Sequence, residues 1–190
     1  MRKLIAGFKV SVDGRFAGPE GYADWVQAWS EDYGLTDRID ACIVGGGMYP
    51  GYEQYWTAIQ TAGDRALPMT GKLATPREAE WARFAARTWH YVLSTTLTRA
   101  QWPNTSFLRS LDDVGALKEK SGRDIYLMGG GRVALALIEA GLVDELHLIV
   151  HPLIAGPGMV LFGNAQRRNL ELRRVEPLPQ GQVRLTYAIT

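Results

Sequence analysis

Apolar residues along the chain follow two alternating patterns. Short apolar runs of strand length, several bounded by Gly or Pro, are separated by stretches in which apolar residues recur every three or four positions. The predicted strands are residues 3–10, 41–45, 90–94, 124–128 and 146–151. Because strands alternate with helices through most of the chain, we expect a mostly parallel sheet covered by helices on both faces.

Three predicted helices are marked by their ends. Residues 75–78, Thr-Pro-Arg-Glu, have the form of a capping box with Pro at the first helical position. Residues 110–113, Ser-Leu-Asp-Asp, cap a second helix that ends near Gly122, and a third helix over 132–140 ends at Gly141. These end signals define helices of ordinary length between the strands.

The C-terminal residues follow a different pattern. Residues 169–178 and 182–189 flank the sequence Pro-Gln-Gly at 179–181, and apolar and polar residues alternate along the last segment. This predicts an antiparallel hairpin at the edge of the sheet. No linker or repeat divides the sequence, so residues 1–190 are predicted to form a single α/β domain.

Composition narrows the classes of partner. Of the 190 residues 46% are apolar, and 21 Lys and Arg balance 20 Asp and Glu to a net charge of +1. This balance excludes a disordered chain or a disulfide scaffold, and it provides no basic surface for nucleic acid or an anionic membrane. The expected partner is a small molecule. The single cysteine, Cys42, lies in an apolar run and is interpreted as a buried strand residue.

The predicted compartment is the cytoplasm. The charge-free stretch 146–166 is long enough to cross a bilayer, but it contains two His, two Pro and three Gly. We interpret it as a strand followed by a loop. The basic amino terminus is interrupted by Lys9, and no small-residue cleavage site follows it.

Two segments share one arrangement, in which a strand runs directly into three glycines and then into a helix. The triplets are Gly45, Gly46 and Gly47, and Gly129, Gly130 and Gly131 followed by Arg132. Glycine permits positive φ and close approach of a ligand, and a helix start offers unpaired N–H groups to phosphate. Two such turns predict a dinucleotide site. The alternative is a pair of tight turns without a ligand.

Residues 129–134 also satisfy the Gly-x-Gly-x-x-Ala fingerprint of the Rossmann fold. That fold requires an acidic residue at the end of the following strand, whereas Asp144 and Glu145 precede the strand 146–151. Too little chain remains for a second Rossmann half. The glycines therefore indicate a dinucleotide site in a different fold.

Several motifs in order resemble the dihydrofolate-reductase-like superfamily, and within it the reductase domain of the bacterial riboflavin-biosynthesis deaminase-reductase. They are residues 1–14, 17–21, 24–25, 40–47, 91–97, 129–131, 143–146, 152–158 and 161–163. The resemblance implies a three-layer α/β/α fold with a mixed sheet, a homodimer, and hydride transfer from NADPH to a small heterocyclic or carbonyl substrate. The deaminase half is absent, because one cysteine cannot build its zinc motif.

The resemblance also implies positions for the cofactor. Residues 129–132 would lie against the pyrophosphate, which agrees with the physical interpretation of the triplet. The segment Ser94, Thr95 and Thr96 would lie near the adenosine ribose and its 2′-phosphate, where hydroxyl groups can donate to phosphate oxygens. Relatives often have Arg at the position of Thr95. In this chain, either Arg99 or Arg132 supplies the positive charge for the 2′-phosphate, or the preference for NADPH over NADH is relaxed.

Candidates for the substrate side come from the first third of the chain. Asp24 is predicted to begin a helix with Trp25 and Trp29 near one face, and the resemblance places this helix beside the substrate. A carboxyl shielded by indole could donate a proton, and the alternative role of Asp24 is an N-cap. Further substrate-binding candidates are Trp25, Asp13, whose alternative is a turn, and Tyr49 and Tyr52, whose alternative is the core.

Other chemistries have less support in the sequence. His147 and His151 lie four residues apart on a strand without a third ligand, so no metal site is predicted. Gly129 stands where the riboflavin enzymes place a substrate-binding glutamate, which disfavours the riboflavin precursor as substrate. The expected activity is that of a reductase similar to 5-amino-6-(5-phosphoribosylamino)uracil reductase, with dihydrofolate reduction or a non-catalytic dinucleotide-binding module as alternatives.

Overall fold

An eight-stranded sheet organises the computed structural model, which describes residues 1–26 and 33–190. The strands are β1 (Leu4–Ser11), β2 (Arg15–Ala17), β3 (Ile39–Gly45), β4 (Trp89–Leu93), β5 (Thr105–Leu108), β6 (Asp124–Leu127), β7 (Glu145–His151), β8 (Met159–Val160), β9 (Leu170–Pro177) and β10 (Val183–Ile189). The helices are α1 (Tyr49–Ala62), α2 (Pro76–Ala85), α3 (Leu111–Glu119) and α4 (Gly131–Glu139).

The strand order in the main sheet is β5-β4-β3-β6-β1-β7-β10-β9. The six strands from β5 to β7 are parallel, whereas β10 runs antiparallel to both β7 and β9. The short strands β2 and β8 pair in a separate two-stranded sheet. The predicted mixed, mostly parallel sheet with a C-terminal antiparallel hairpin is therefore confirmed.

Two hydrophobic cores lie on opposite faces of this sheet. On one face the strands pack against Val114 and Leu117 of α3 and Leu137 of α4. On the other face they pack against Trp56 of α1 and Trp81 of α2. Strands buried on both faces need continuous apolar runs, which is why β1 and β3 are almost entirely buried. The layers are helix, sheet and helix, as the resemblance implied.

The predicted helix caps are present. The Thr75 hydroxyl accepts a bond from the Glu78 N–H at 3.2 Å, and the Glu78 carboxylate accepts one from the Thr75 N–H at 2.8 Å. Ser110 and Asp113 form the same reciprocal pair at the start of α3. These contacts span three residues of chain, so their signature is readable in the sequence.

The structure differs from the predictions where elements are short. β2, β5 and β8 contain three, four and two residues, too few to show a period. The helix predicted to begin at Asp24 is not found in the described part of that segment, where Asp24 and Trp25 form a turn. The position of Trp29 lies outside the described residues.

The structure also shows where the cysteine and two of the histidines lie. Cys42 is completely buried in β3, as expected, and His147 and His151 are both buried on β7. No group of three or more potential metal-ligating side chains occurs within residues 1–26 and 33–190. Over the same ranges, no helix combines the length and apolar character that crossing a membrane requires.

Candidate functional site

The carboxyl ends of β3 and β6 mark a reversal in the winding of the sheet. The two strands are neighbours, yet the helix that follows β3 packs on one face and the helix that follows β6 packs on the other. In open parallel sheets such a switch point leaves a crevice outside the strand ends, where ligands bind. Both glycine triplets lie at this crevice.

Glycines of the first triplet serve different purposes. A Cβ atom on Gly45 would lie 2.8 Å from Cγ2 of Val133, and one on Gly46 would overlap the side chain of Ser94. These two glycines allow the turn to pack against α4 and the end of β4. A Cβ atom on Gly47 would meet nothing within 4 Å, and the residue is exposed. Only Gly47 leaves open space that a ligand could occupy.

The second triplet is required mainly by the backbone. Gly129 and Gly130 have φ values of 100° and 84°, in the left-handed region that favours glycine. A Cβ atom on Gly131 would lie 2.9 Å from Cζ of Phe16. The first bond within α4 runs from the Ala134 N–H to the Gly130 carbonyl at 3.0 Å, so the preceding N–H groups have no partner within the helix.

A groove of about 400 Å³ opens beside the first glycine turn and the start of α4, and Gly129, Gly130 and Gly131 are not among its lining residues. Its lining residues are Gly46, Gly47, Leu93, Ser94, Thr95, Arg109, Ser110, Leu111, Arg132 and Val133. They include three hydroxyl groups and two guanidinium groups, and none of the described lining residues is acidic. Hydroxyl and guanidinium groups beside a helix start are suited to an anionic ligand such as a phosphate ester.

Arg109 holds one wall of the groove in place. Its Nη1 atom donates to the carbonyl oxygens of Ser94 at 2.6 Å and Leu97 at 2.7 Å, and its guanidinium lies 5.1 Å from the centre of the Phe107 ring. The Ser94 hydroxyl accepts the N–H of Leu97 at 3.0 Å and of Thr96 at 3.3 Å. The loop after β4 is therefore closed by its own contacts before any ligand binds.

The second cation of the groove has a different environment. Arg132 is exposed in the first turn of α4 and makes no hydrogen bond or ion pair with another described residue. Arg99, the alternative source of charge, is exposed and does not line the groove. Thr95 lines the groove, whereas Thr96 does not. The position of Arg109 was missed in the sequence because β5, the strand that presents it, is too short to recognise.

The structure places Tyr49 and Tyr52 in the core rather than in the groove. The Tyr49 hydroxyl donates to Oε1 of Glu53 at 2.7 Å and shares a bond with Thr105 at 2.8 Å, and burial raises its pKa above the usual value. The Tyr52 hydroxyl bonds to Nε2 of His90 at 3.0 Å. Both phenols have partners within the fold, so a packing role explains them without a ligand.

Asp13 lies in a turn, where its carboxylate accepts hydrogen bonds from one side chain and two backbone N–H groups. Its carboxylate accepts bonds from the Ser11 hydroxyl at 2.6 Å and from the N–H groups of Ala155 at 2.9 Å and Gly156 at 3.0 Å. The Ser11 bond, followed by the backbone bonds, lowers the pKa of Asp13 to about 2. The contacts join the first turn to the loop after β7.

Asp24 and Trp25 form an exposed turn beside the residues that the structure does not describe. The Asp24 side chain is exposed, so the predicted shielding of its carboxyl by Trp25 is wrong for this structure. The indole of Trp25 is half-buried, and its Nε1 atom has no hydrogen-bond partner among the described residues. Neither residue lines the groove.

The fold and the groove define an α/β/α protein with a candidate anion-binding crevice at the switch point of its sheet. The family model for the RibD C-terminal domain matches residues 2–183, and the chain belongs to this family. Membership implies a reductase. The chain is 29% identical to the uncharacterized protein YyaP of Bacillus subtilis (strain 168), an alignment that covers 98% of this chain and 94% of YyaP.

Solved structures of other proteins have the same fold. A candidate riboflavin biosynthesis protein from Shewanella sp. PV-4 superposes with a TM-score of 0.69 at 18% identity, covering 99% of both chains. Dihydrofolate reductase from Enterococcus faecalis, solved as a complex with NADP(H) and RAB-propyl, superposes with a TM-score of 0.62 at 17% identity. That match covers 99% of this chain and 96% of the reductase. The dihydrofolate-reductase-like fold is therefore established.

Proposed function

We propose that the protein is an NADPH-dependent reductase that transfers a hydride to a small heterocyclic or carbonyl substrate. The observation that carries this proposal is the groove at the switch point, where Gly47, Thr95, Arg109 and Arg132 surround open space. A dinucleotide with three phosphate groups is an anion of the kind that such a lining recognises. The structurally similar dihydrofolate reductase from Enterococcus faecalis was solved with NADP(H), which supports this choice of cofactor.

The residues of the groove fit the polar parts of NADPH. The N–H groups at the start of α4 and the open side of Gly47 would receive the pyrophosphate. Thr95, Arg109 and Arg132 would surround the 2′-phosphate and compensate its charge. When bound, the cofactor supplies the hydride, and the chain has to orient it, exclude water and hold the acceptor.

Replacement of Gly47 tests the site with little risk to the fold. Gly47→Leu adds a side chain where no atom lies within 4 Å and where φ is not in the left-handed region. We expect NADPH affinity to fall at least about tenfold, which equals about 1.4 kcal/mol. The matched control is Gly51→Leu, because Gly51 is equally open but does not line the groove. Unchanged affinity in a folded Gly47→Leu protein would place the cofactor elsewhere.

Replacement of Arg132 tests the preference between cofactors. Arg132→Gln should weaken NADPH binding by about tenfold and leave NADH binding nearly unchanged, because only NADPH carries the 2′-phosphate. Arg99→Gln is the control, since Arg99 is exposed outside the groove. An equal loss for both cofactors would assign Arg132 to the pyrophosphate instead.

Turnover separates the proposed reductase from its alternatives. NADPH oxidation by the purified protein would be followed against pterins, ribosylaminopyrimidines and small carbonyl compounds. Activity confined to dihydropterins would favour dihydrofolate reduction. NADPH binding with no oxidation of NADPH above background across the panel would favour a non-catalytic dinucleotide-binding module.

A further inference from the structure

A second cavity, of about 580 Å³, lies at the end of the sheet opposite to the groove. It is bordered by the start of β3, by the end of α2 and by the turn before β6. Cavities of this size hold small-molecule ligands. Its described lining residues are all different from those of the groove. We call it the arginine pocket and define it by Thr36, Asp37, Glu80, Arg83, Arg87 and Arg123.

Two of the three arginines have no partner inside the described protein. Arg83 lies in the last turn of α2, Arg87 follows it by four residues, and both line the pocket. Both side chains are exposed, and neither makes a hydrogen bond or ion pair with any residue of the ranges 1–26 and 33–190. Like charges one helical turn apart repel each other. A ligand with negative charge would relieve this repulsion.

The third arginine is fixed by the turn that carries it. The Arg123 N–H donates to Oδ2 of Asp40 at 2.8 Å, and the Arg2 side chain donates to the Arg123 carbonyl and to Oδ1 of Asp40. Nη1 of Arg123 donates to the Asp37 carbonyl at 3.2 Å. The Asp40 carboxylate is therefore neutralised within the protein, and the Arg123 guanidinium is positioned before a ligand binds.

The other polar side chains of the pocket include acceptors. The carboxylates of Asp37 and Glu80 are exposed, and within the described part of the chain neither accepts a hydrogen bond or pairs with an arginine. The half-buried Thr36 hydroxyl has no partner there either. Carboxylates accept hydrogen bonds from the hydroxyl groups of a ligand, whereas guanidinium groups bind phosphate oxygens. The pocket therefore offers two kinds of contact.

We propose that the arginine pocket binds a small phosphate ester whose organic part carries hydroxyl groups, such as a sugar phosphate. The three arginines bind the phosphate, and Asp37 and Glu80 accept hydrogen bonds from the hydroxyl groups. The same two carboxylates disfavour an anion without hydroxyl groups, because nothing offsets their repulsion of it. The pocket is separate from the groove, so the proposal does not depend on the proposed reductase activity.

Titration calorimetry with hydroxylated phosphate esters tests the ligand class. Glucose 6-phosphate and glycerol 3-phosphate are the probes, and glucose and inorganic phosphate are the controls. At least one probe should bind about tenfold more tightly than inorganic phosphate, and glucose should not bind. Failure of both probes to bind at about 10 mM would overturn the proposal. Inorganic phosphate that binds as tightly as the probes would overturn it too.

A double variant tests the location of the phosphate. Arg83→Gln combined with Arg87→Gln should weaken binding of the probes by at least about tenfold. Because both side chains are exposed and without partners among the described residues, thermal unfolding should show an intact fold. Arg99→Gln combined with Arg167→Gln is the matched control, since it removes the same charge from exposed positions outside both cavities. An equal loss in the control would reduce the effect to net charge and overturn the proposal.

Two single variants separate the contacts. Glu80→Ala should weaken binding of glucose 6-phosphate but not of inorganic phosphate, because only the sugar has hydroxyl groups for the carboxylate. Arg132→Gln changes the groove and should leave binding of the probes unchanged. Probe binding that falls in Arg132→Gln but not in the double variant would place the probes in the groove. A double variant that is less stable yet binds the probes normally would restrict Arg83 and Arg87 to stabilising the helix end. Either result overturns the proposal.

Discussion

At the scale of single residues, the groove contains side chains of two kinds. Gly45, Gly46 and Arg109 are explained by contacts within the protein, because they let the turns pack or hold the loop after β4. Gly47 and Arg132 have no such explanation among the described residues. Among the residues proposed to contact the ligand, variants of Gly47 and Arg132 therefore test binding more cleanly than variants of Arg109 or of the packed glycines.

The sequence prediction that Asp24 donates a proton to the acceptor or positions it can be tested by substitution. Asp24→Asn preserves the size of an exposed side chain, so the free energy of unfolding should change by less than about 1 kcal/mol. Turnover should fall by roughly 10²-fold if the carboxyl acts on the acceptor. NADPH affinity, measured by energy transfer from tryptophan, should stay constant. Unchanged turnover would remove Asp24 from the site.

The role of Asp13 can be read from the pH dependence of stability. Its pKa is about 2 in the folded protein and 3.8 ordinarily, so its contribution is present above pH 3.8 and is lost as pH falls toward 2. Urea unfolding of the parent and Asp13→Asn should differ at pH 7 and converge between about pH 4 and pH 2. A substrate role would instead appear as a raised KM with superimposable unfolding curves.

At the scale of elements, buried polar bonds join helices to strands at defined positions. Nδ1 of His90 lies 2.9 Å from the Thr88 carbonyl, which can only accept, so Nδ1 carries the proton. Nε2 then accepts from the Tyr52 hydroxyl of α1. Burial lowers the pKa of His90 to about 4, so the ring stays neutral. This pair links α1 to the start of β4.

Stability should therefore decline in mildly acidic solution. His90 ionises near pH 4 in the folded chain and near pH 6.5 when unfolded, so the unfolded state binds more protons between these values. The unfolding free energy should fall by about 3 kcal/mol as pH drops through that window. In the His90→Gln variant, this decrease of the unfolding free energy with falling pH should be absent. Parallel pH profiles for the two proteins, measured in urea, would contradict the assignment.

At the scale of the whole molecule, the candidate binding groove and the main network of ion pairs lie at opposite ends of the parallel strands. The groove lies at the carboxyl ends of β3, β4 and β5, beside the start of α4, whereas a network of charges lies at the amino ends of other strands. Arg38 bonds Asp124 at 2.9 Å and Glu145 at 3.1 Å, and Lys3 bonds Glu145 at 2.8 Å. This network joins the starts of β1, β6 and β7 without reaching the groove.

Removing the network should affect stability alone. Arg38→Met should lower the free energy of unfolding by about 1–2 kcal/mol, a modest value because the guanidinium is partly exposed and screened. NADPH affinity should change by less than about twofold, since a strand of seven residues separates the sites by roughly 20 Å. Calorimetry of unfolding and of binding on the same preparation checks both. A tenfold loss of affinity would show that the two ends are coupled.

The sequence by itself determined the features that arise between near neighbours in the chain. Strand runs, the capping boxes at Thr75 and Ser110, the glycine turns and the C-terminal hairpin depend on periods of two to four residues, so their signals are local. The order of motifs also indicated the family, which the family model confirmed over residues 2–183. Most of the fold could be predicted in this way.

Only the tertiary structure decided what the elements bring together. Arg109 lines the groove because β5, which precedes it, pairs with β4. Tyr49 and Tyr52 are buried because their rings pack in the core on one face of the sheet. The same applies to Gly46, which is glycine because Ser94, 48 positions later, occupies the adjacent space. Contacts between residues distant in the chain depend on which faces are buried across the whole sheet. A local pattern carries no information about that choice.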